Sequence, residues 1–108
     1  MTVAAQDVVK GSDLVAKFLA DREITHVFGI VGAGNAHIFD SITRLGYTEI
    51  VCVHHEQAAV MAMNFYTRAS GKPCAAIVTT GGGAANAFTG VVSGWMDSTP
   101  GVIIAGNE

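Results

Sequence analysis

Apolar residues recur along this chain in two rhythms that alternate from one segment to the next. Short, nearly continuous apolar runs predict four buried strands, over residues 26–31, 49–53, 75–79 and 102–105. Longer segments with apolar residues three or four positions apart predict four helices, over residues 12–22, 38–45, 56–70 and 84–96. The order α-β-α-β-α-β-α-β predicts an α/β fold, with a parallel sheet covered by helices on both faces in three layers.

Polar residues and glycines mark the predicted ends of these helices. Ser12 is expected to cap the first helix, and Gly46 and Gly71 are expected to end the second and the third. A tight turn is expected at residues 81–83, ahead of the fourth helix. The large apolar side chains of that helix are expected to be available for packing: Phe88, Val91, Val92, Trp95 and Met96. Phe88, Trp95 and the methionines are expected in the core rather than in contact with a cofactor.

The composition agrees with one interior-rich domain or a piece of one. The chain has 108 residues, of which 50% are hydrophobic and 14% are charged, and its mean hydropathy is +0.41. The net charge is −3 and the lysines and arginines are scattered singly, which argues against a nucleic-acid partner. The sequence stops at Glu108, directly after the last predicted strand, where such a domain usually adds another helix. We therefore expect the domain to be truncated there.

Targeting and redox signals favour a cytoplasmic protein. No basic segment followed by an apolar one opens the chain, so no signal peptide is expected. Residues 73–96 carry no charge, but Pro73 and three consecutive glycines interrupt them, so no membrane span is expected. Cys52 and Cys74 lie in apolar runs without C-x-x-C spacing, which predicts reduced, buried thiols.

Three loops that follow predicted strands carry the residues of a candidate site: residues 32–35, 54–56 and 81–83. The carboxyl ends of parallel strands meet at one edge of a sheet, and ligands of such folds bind at that edge. We therefore expect the three loops to converge.

The first of these loops contains Gly32-x-Gly34, which is two-thirds of a dinucleotide-binding fingerprint, with His37 in the place of the third glycine. Glu56 would then be the acid that binds a ribose. From the residues alone three interpretations stay open: a simple turn, another ligand-contacting loop, or a nicotinamide or flavin site.

The second loop leads into Glu56, the titratable residue that its position singles out. His54, His55 and Glu56 are adjacent and point in different directions at a strand-to-helix junction, so a metal site is not expected. Glu56 is either a first-turn carboxylate that complements the helix dipole, or a carboxyl group with a raised pKa among the small apolar residues that follow it. In the third loop, residues 79–86 lack the lysine of a P-loop, and the chain shows no nucleophile elbow.

Taken together, four segments resemble the N-terminal, pyrimidine-binding domain of thiamine-diphosphate enzymes of the acetolactate synthase, pyruvate oxidase and benzaldehyde lyase type. They read V-F-G-I-V-G at 27–32, H-E-Q-A-A at 55–59, T-x-G-x-G-x-x-N at 79–86 and D-S-T-P at 97–100. The second segment continues to Ala62, Tyr66 and Arg68. The resemblance covers nearly the whole chain, so residues 1–108 are expected to be the N-terminal part of this domain. The middle and diphosphate-binding domains would lie outside this sequence.

The resemblance implies a catalytic role for Glu56. In this family the corresponding carboxyl group hydrogen-bonds N1′ of the aminopyrimidine and favours the imino tautomer, whose nitrogen removes the C2 proton of the thiazolium. Cofactor contacts are implied for six residues: Val31, Gly32, Glu56, Thr79, Gly81 and Asn86. Gly34 and Asn35 are implied to face the substrate. No residue of this chain is assigned to a metal, because the ligands of Mg²⁺ are expected outside the segment. FAD is left open and is not indicated.

The implied reaction decarboxylates a 2-oxo acid, with pyruvate as first candidate, and transfers the acyl carbanion to an acceptor. In the family the pyrimidine domain of one subunit meets the diphosphate domain of another, which implies a homodimer or homotetramer and an inactive isolated segment. Several positions depart from the pattern and leave the subfamily and acceptor open: Val31, His54, Asn64, Phe65 and Gly82. The alternatives are a Rossmann-type dinucleotide-binding domain of an oxidoreductase and a non-catalytic α/β module.

Overall fold

The computed structural model describes residues 8–107 of the chain. Their helices are α1 (Gly11–Asp21), α2 (Ala36–Leu45), α3 (Glu56–Ser70), α4 (Gly82–Asn86) and α5 (Phe88–Met96). Their strands are β1 (His26–Gly29), β2 (Glu49–Cys52), β3 (Ala75–Val78) and β4 (Val102–Ala105). The predicted alternation of helix and strand is confirmed, except that two helices stand where one was expected between β3 and β4.

The four strands form one parallel sheet in the order β2-β1-β3-β4. In the centre of the sheet, β1 pairs with β2 on one side and with β3 on the other, so that Val27 lies between Ile50 and Ala75. From β1 the chain proceeds outward to β2, whereas from β3 it proceeds outward to β4 in the opposite direction. The reversal between two neighbouring strands creates the switch point at which ligands of open parallel sheets bind.

Helices cover both faces of the sheet, which confirms the three-layer prediction. On one face Leu19 of α1 and Ile42 of α2 join a core cluster with residues of β1 and β3. On the other face Val60 of α3 belongs to a second cluster, again with residues of β3. β3 is buried over its whole length because both of its faces are covered, which explains its continuous apolar sequence.

The helix ends follow the prediction at two of three positions. Gly46 and Gly71 end α2 and α3 with φ values of 77° and 72°, in the left-handed region that glycine adopts without a steric penalty. The predicted cap at Ser12 is wrong, because α1 begins at Gly11 after an extended Lys10. The Ser12 Oγ instead accepts a hydrogen bond from the Ser41 Oγ at 2.8 Å, between α1 and α2.

An ion pair connects α1 and α2 on their solvent-exposed side. Arg44 of α2 donates to Asp13 of α1 at 2.8 Å and to Asp40 of α2 at 3.0 Å. Hydrogen bonding from Ser41 and then from Arg44 lowers the pKa of the exposed Asp13. Arg44 therefore links the two helices through an ion pair.

The region between β3 and β4 differs from the prediction in two respects. The chain breaks the expected helix at Ala87, which is buried and separates α4 from α5. The residues of α5 that turn inward are Gly90 and Gly94, because a β-carbon on them would lie 2.6 Å from Val60 Cβ and 2.9 Å from Asn64 Oδ1 of α3. The core prediction is confirmed for Met63 of α3 and is wrong for Phe88, Trp95 and Met96, which are exposed, as are Val91 and Val92.

The two cysteines also differ in burial. Cys74 is buried as predicted, and burial raises the pKa of its thiol to about 11, so that it stays neutral. Cys52 is exposed, contrary to the prediction, because it ends β2 at the edge of the sheet. None of the helices within residues 8–107 is long and apolar enough to cross a membrane.

Candidate functional site

The predicted loops converge at the carboxyl ends of the central strands. Two hydrogen bonds between side chains and distant segments show this convergence. The Gly34 amide, after β1, donates to Thr79 Oγ1, after β3, at 3.0 Å. The Asn86 Nδ2 of α4 donates to Glu56 Oε1 of α3 at 3.2 Å. The structure thus gathers Gly32, Gly34, Glu56, Thr79 and Asn86 in one region.

Glu56 lies at the start of α3, where the helix dipole favours a negative charge. His55 caps the helix, since its Nδ1 accepts a hydrogen bond from the Gln57 amide at 3.0 Å. One carboxylate oxygen of Glu56 is held by Asn86, and the other faces Gly83, where a β-carbon would lie 3.2 Å from Oε2. The carboxylate is therefore oriented by its neighbours while Glu56 remains partly exposed.

The small apolar residues that follow Glu56 differ in their burial. Ala58 is exposed and Ala59 is fully buried in the second core cluster. Ala58, two positions after Glu56, lies on a different face of the helix, whereas Ala59, three positions after it, shares the face of Glu56. The residues that the structure does place next to the carboxylate, Gly83 and Asn86, come from the segment after β3.

The segment after β3 leaves open space beside Glu56. Gly81 has φ 58° and ψ −119°, a conformation that residues with a β-carbon rarely adopt. A β-carbon on Gly81 or Gly82 would meet no heavy atom within 4 Å. These glycines therefore form a backbone surface that a flat ligand can approach.

The loop after β1, residues 30–35, is by contrast tightly packed. Asn35 is 1% exposed, and its Oδ1 accepts from the Gly32 amide at 2.7 Å while its Nδ2 donates to the Ile30 carbonyl at 3.0 Å. Both ends of this side chain are thus used inside the loop. This placement argues against the predicted contact of Asn35 with a substrate and assigns its side chain to the shape of the loop.

The glycines of this loop approach protein rather than open space. A β-carbon on Gly32 would lie 2.6 Å from Thr79 Cβ, and one on Gly34 would lie 2.5 Å from Thr80 Cγ2. The side chains after β3 therefore fill the crevice that a pyrophosphate would enter in a dinucleotide-binding fold. This packing argues against the Rossmann alternative.

The other predicted site residues have distinct placements. Val31 is 53% exposed at the outer side of its loop. Gly83 was not predicted as a site residue, although a β-carbon on it would lie 2.7 Å from Thr79 Cγ2 and 3.2 Å from Glu56 Oε2. The glycine triplet before a helix indicated this region of the chain. The sequence alone did not indicate which of the three glycines lies closest to the carboxylate.

Charge at the loops sets a limit on what this region can bind. No lysine or arginine occurs among residues 30–35, 53–56 and 79–86. Within the described part of the chain, no three His, Cys, Asp or Glu side chains are grouped so that they could hold a metal ion. These loops therefore offer a carboxylate, an amide and glycine backbone to a ligand, and no lysine or arginine side chain to a diphosphate.

Comparison with known sequences adds a family to this geometry. The profile of the family described as "Thiamine pyrophosphate enzyme, N-terminal TPP binding domain" matches residues 9–108. The chain is 39% identical over 100 residues to the acetolactate synthase large subunit of Buchnera aphidicola subsp. Acyrthosiphon pisum, which is 93% of this chain and 18% of that protein.

Two further relatives show the same pattern. The chain is 37% identical over 100 residues to the acetolactate synthase isozyme 3 large subunit of Escherichia coli K12, which covers 93% of this chain and 17% of that protein. It is 39% identical over 98 residues to the acetolactate synthase of Bacillus subtilis 168, which covers 91% and 17%. The chain thus spans less than a fifth of the length of the relatives it matches.

Proposed function

The chain belongs to the thiamine pyrophosphate enzymes, within their N-terminal TPP binding domain, and on this premise we propose that it supplies the pyrimidine side of the cofactor site in an acetolactate-synthase-like carboligase. The proposed reaction decarboxylates a 2-oxo acid, with pyruvate as the first candidate, and transfers the acyl group to an acceptor. The observation that carries the proposal is the Glu56 carboxylate, held by Asn86 and placed beside the glycine backbone after β3.

The residues present fit the aminopyrimidine half of thiamine diphosphate. A ring nitrogen needs an acceptor or a shared proton, which Glu56 Oε2, next to Gly83, offers. A flat ring needs space without side chains, which Gly81 and Gly82 leave open. Because the loops carry no lysine or arginine, the diphosphate and its Mg²⁺ would be bound by residues outside this sequence.

When bound, thiamine diphosphate supplies a carbon nucleophile that adds to the carbonyl carbon of a 2-oxo acid. Within this chain, Glu56 would hold or release a proton at Oε2, toward the ring nitrogen. Asn86 would fix the direction of the carboxylate through Oε1, and the hydrogen bond between His55 and Gln57 would keep the first turn of α3 in place. Thr79, Gly32 and Val31 would form the neighbouring wall of the site.

The proposal is tested with the Glu56→Gln variant of the full-length protein, assayed with pyruvate, thiamine diphosphate and Mg²⁺. Glutamine keeps the size of the side chain and an oxygen for Asn86, but it cannot exchange a proton at neutral pH. Turnover is expected to fall by at least ~10²-fold, the range of general acid–base contributions. Glu49→Gln is the matched control, because Glu49 is an exposed carboxylate at the start of β2, away from the loops. Wild-type turnover in Glu56→Gln would contradict the proposal.

We also propose that the complete protein is a homodimer or homotetramer. The apolar flank of α5 supports this assembly, because Trp95 is 85% exposed, Met96 76% and Phe88 67%. Trp95→Gln is expected to weaken subunit association in sedimentation velocity, whereas Leu14→Gln, at an exposed apolar residue of α1, should leave it unchanged. Equal sedimentation of Trp95→Gln and wild type over a dilution series would contradict this role of the α5 flank.

The Rossmann alternative is separated from the proposal by titration. A dinucleotide site is built largely within one half of such a fold, so an isolated segment of residues 1–108 would retain NAD affinity. Under the proposed function this segment lacks the groups that bind the diphosphate, and it should bind neither NAD nor thiamine diphosphate with Mg²⁺ at micromolar concentration. If circular dichroism shows that the segment is folded and it binds NAD at micromolar concentration, the Rossmann alternative would be favoured.

A further inference from the structure

We propose that Thr79 and Asn35 are positioning residues, which together fix the loop of residues 30–35 relative to the segment that carries Gly83 and, through it, to Glu56. The inference rests on the proposed function for its effect on turnover, while its structural part stands independently. It assigns Thr79 to the contact between two loops rather than to direct contact with a ligand.

Asn35 determines the internal shape of the loop. Its side chain bonds the Gly32 amide and the Ile30 carbonyl, at 2.7 Å and 3.0 Å, and it is 1% exposed. A polar side chain this deeply buried is costly unless its groups are paired, and here both the amide oxygen and the amide nitrogen are. Asn35 also precedes α2 directly, so it ties the start of that helix to the end of β1.

Thr79 connects this loop to the opposite one. The hydroxyl of Thr79 accepts a hydrogen bond from the Gly34 amide at 3.0 Å. A β-carbon added to Gly32 would lie 2.6 Å from the β-carbon of Thr79. A β-carbon added to Gly83 would lie 2.7 Å from the methyl group of Thr79. Thr79 therefore touches both glycine segments at once, and each segment lacks a side chain at the point of contact.

The second of these contacts leads to the carboxylate. A β-carbon on Gly83 would lie 2.7 Å from the Thr79 methyl group and 3.2 Å from Glu56 Oε2. A displacement of Thr79 would therefore move the backbone at Gly83 and change the space in front of Glu56. The exposed Val31 side chain, which the same loop holds on its outer side, would shift with it.

Two substitutions of Thr79 separate the hydroxyl from the methyl group. Thr79→Val keeps the branched shape and removes the acceptor of the Gly34 amide, whereas Thr79→Ser keeps the acceptor and removes the methyl group. Thr48→Val is the matched control, because the Thr48 hydroxyl is buried and donates to the Ile24 carbonyl at 2.7 Å, before β1 and β2 and away from the site.

The experiment measures hydrogen exchange of the Gly34 amide together with kcat and KM for pyruvate, in the full-length protein. Thr79→Val is expected to speed Gly34 exchange by about tenfold or more and to lower kcat by about tenfold, with KM changed less than about twofold. Thr79→Ser should keep both the protection of the Gly34 amide and kcat within about threefold of the wild-type values. Thr48→Val should change neither quantity while lowering Tm.

Asn35→Asp provides a second variant in case Thr79→Val does not fold. It keeps the acceptor for the Gly32 amide and removes the donor to the Ile30 carbonyl, so faster exchange at Gly34 and a lower kcat are expected again. Unchanged Gly34 exchange in the folded variants would overturn the inference, as would an equal loss of kcat in Thr48→Val. If the wild-type protein turns over no 2-oxo acid, the proposed function fails, and the Gly34 exchange rates still decide whether Thr79 and Asn35 hold the loop.

Discussion

The loop after β1, residues 30–35, and the segment after β3, residues 79–83, both contain glycines and lie side by side at the same end of the sheet. Their glycines have different surroundings. A β-carbon on Gly32 or Gly34 would lie less than 3 Å from a threonine side chain, whereas one on Gly81 or Gly82 would meet nothing within 4 Å. In the first loop the missing side chains permit contact between two parts of the protein. In the second segment Gly81 and Gly82 leave room for a ligand.

The two glycine-containing segments therefore have different structural roles. The loop after β1 has its amides bonded within the protein, at Gly32 by Asn35 and at Gly34 by Thr79, so it acts as a fixed wall. The segment after β3 contains Gly81, whose φ is positive, and runs past the Glu56 carboxylate. A ligand is therefore expected at the second segment, and rigidity is expected from the first.

The largest effect is expected from Gly81→Val. The φ of 58° is one that a β-branched residue adopts only under strain, which costs roughly 1–3 kcal/mol, and a different loop conformation would also close the open space. The affinity for thiamine diphosphate should fall by at least about tenfold in calorimetric titration with Mg²⁺. Unchanged affinity in a folded variant would remove the distinction between the two segments.

A smaller effect, on stability rather than affinity, is expected from Gly32→Ala. The added methyl group would overlap the Thr79 side chain, and overpacking of this kind costs about 1–3 kcal/mol. Chemical denaturation should show the loss in the midpoint with an unchanged m-value. A variant as stable as wild type would mean that the loop can move away from Thr79, and that it is not a fixed wall.

The smallest effect is expected from Gly82→Ala, which is the control for both variants. Its β-carbon meets open space and its φ is not among the positive values, so the substitution should change stability by less than about 0.5 kcal/mol. A large loss of cofactor affinity in Gly82→Ala would show that the ligand approaches closer to this residue than the free space suggests.

Much of the fold was predictable because apolar periodicity and glycine stops are local signals. Helix α3 begins at Glu56 and ends at Ser70 as predicted, and the strands differ from their predicted ends by at most two residues. The error at α5 arose because periodicity shows which residues share a face and does not show which face turns inward. Two glycines, Gly90 and Gly94, decide that orientation by allowing α5 to approach α3 closely.

The candidate site was predictable only in part, for a similar reason. Topology brings the loops after parallel strands to one edge, so the meeting of Glu56 with the segment after β3 followed from the order of elements. The particular contacts did not follow, because they depend on atomic packing. The sequence predicted that Asn35 faces a substrate, yet both polar groups of its buried side chain form hydrogen bonds within its own loop.

The central claim is that the Glu56 carboxylate, oriented by Asn86 at 3.2 Å, meets the aminopyrimidine of the cofactor. Turnover passes through several steps, whereas exchange of the C2 proton of bound thiamine diphosphate for deuterium reports on activation of the cofactor alone. The measurement is this exchange rate, by rapid quench and NMR, in the full-length wild-type protein and in Glu56→Gln with the cofactor saturating. Exchange in Glu56→Gln is expected to be slower than in the wild type by at least ~10²-fold. An exchange rate equal to that of the wild type would contradict the central claim.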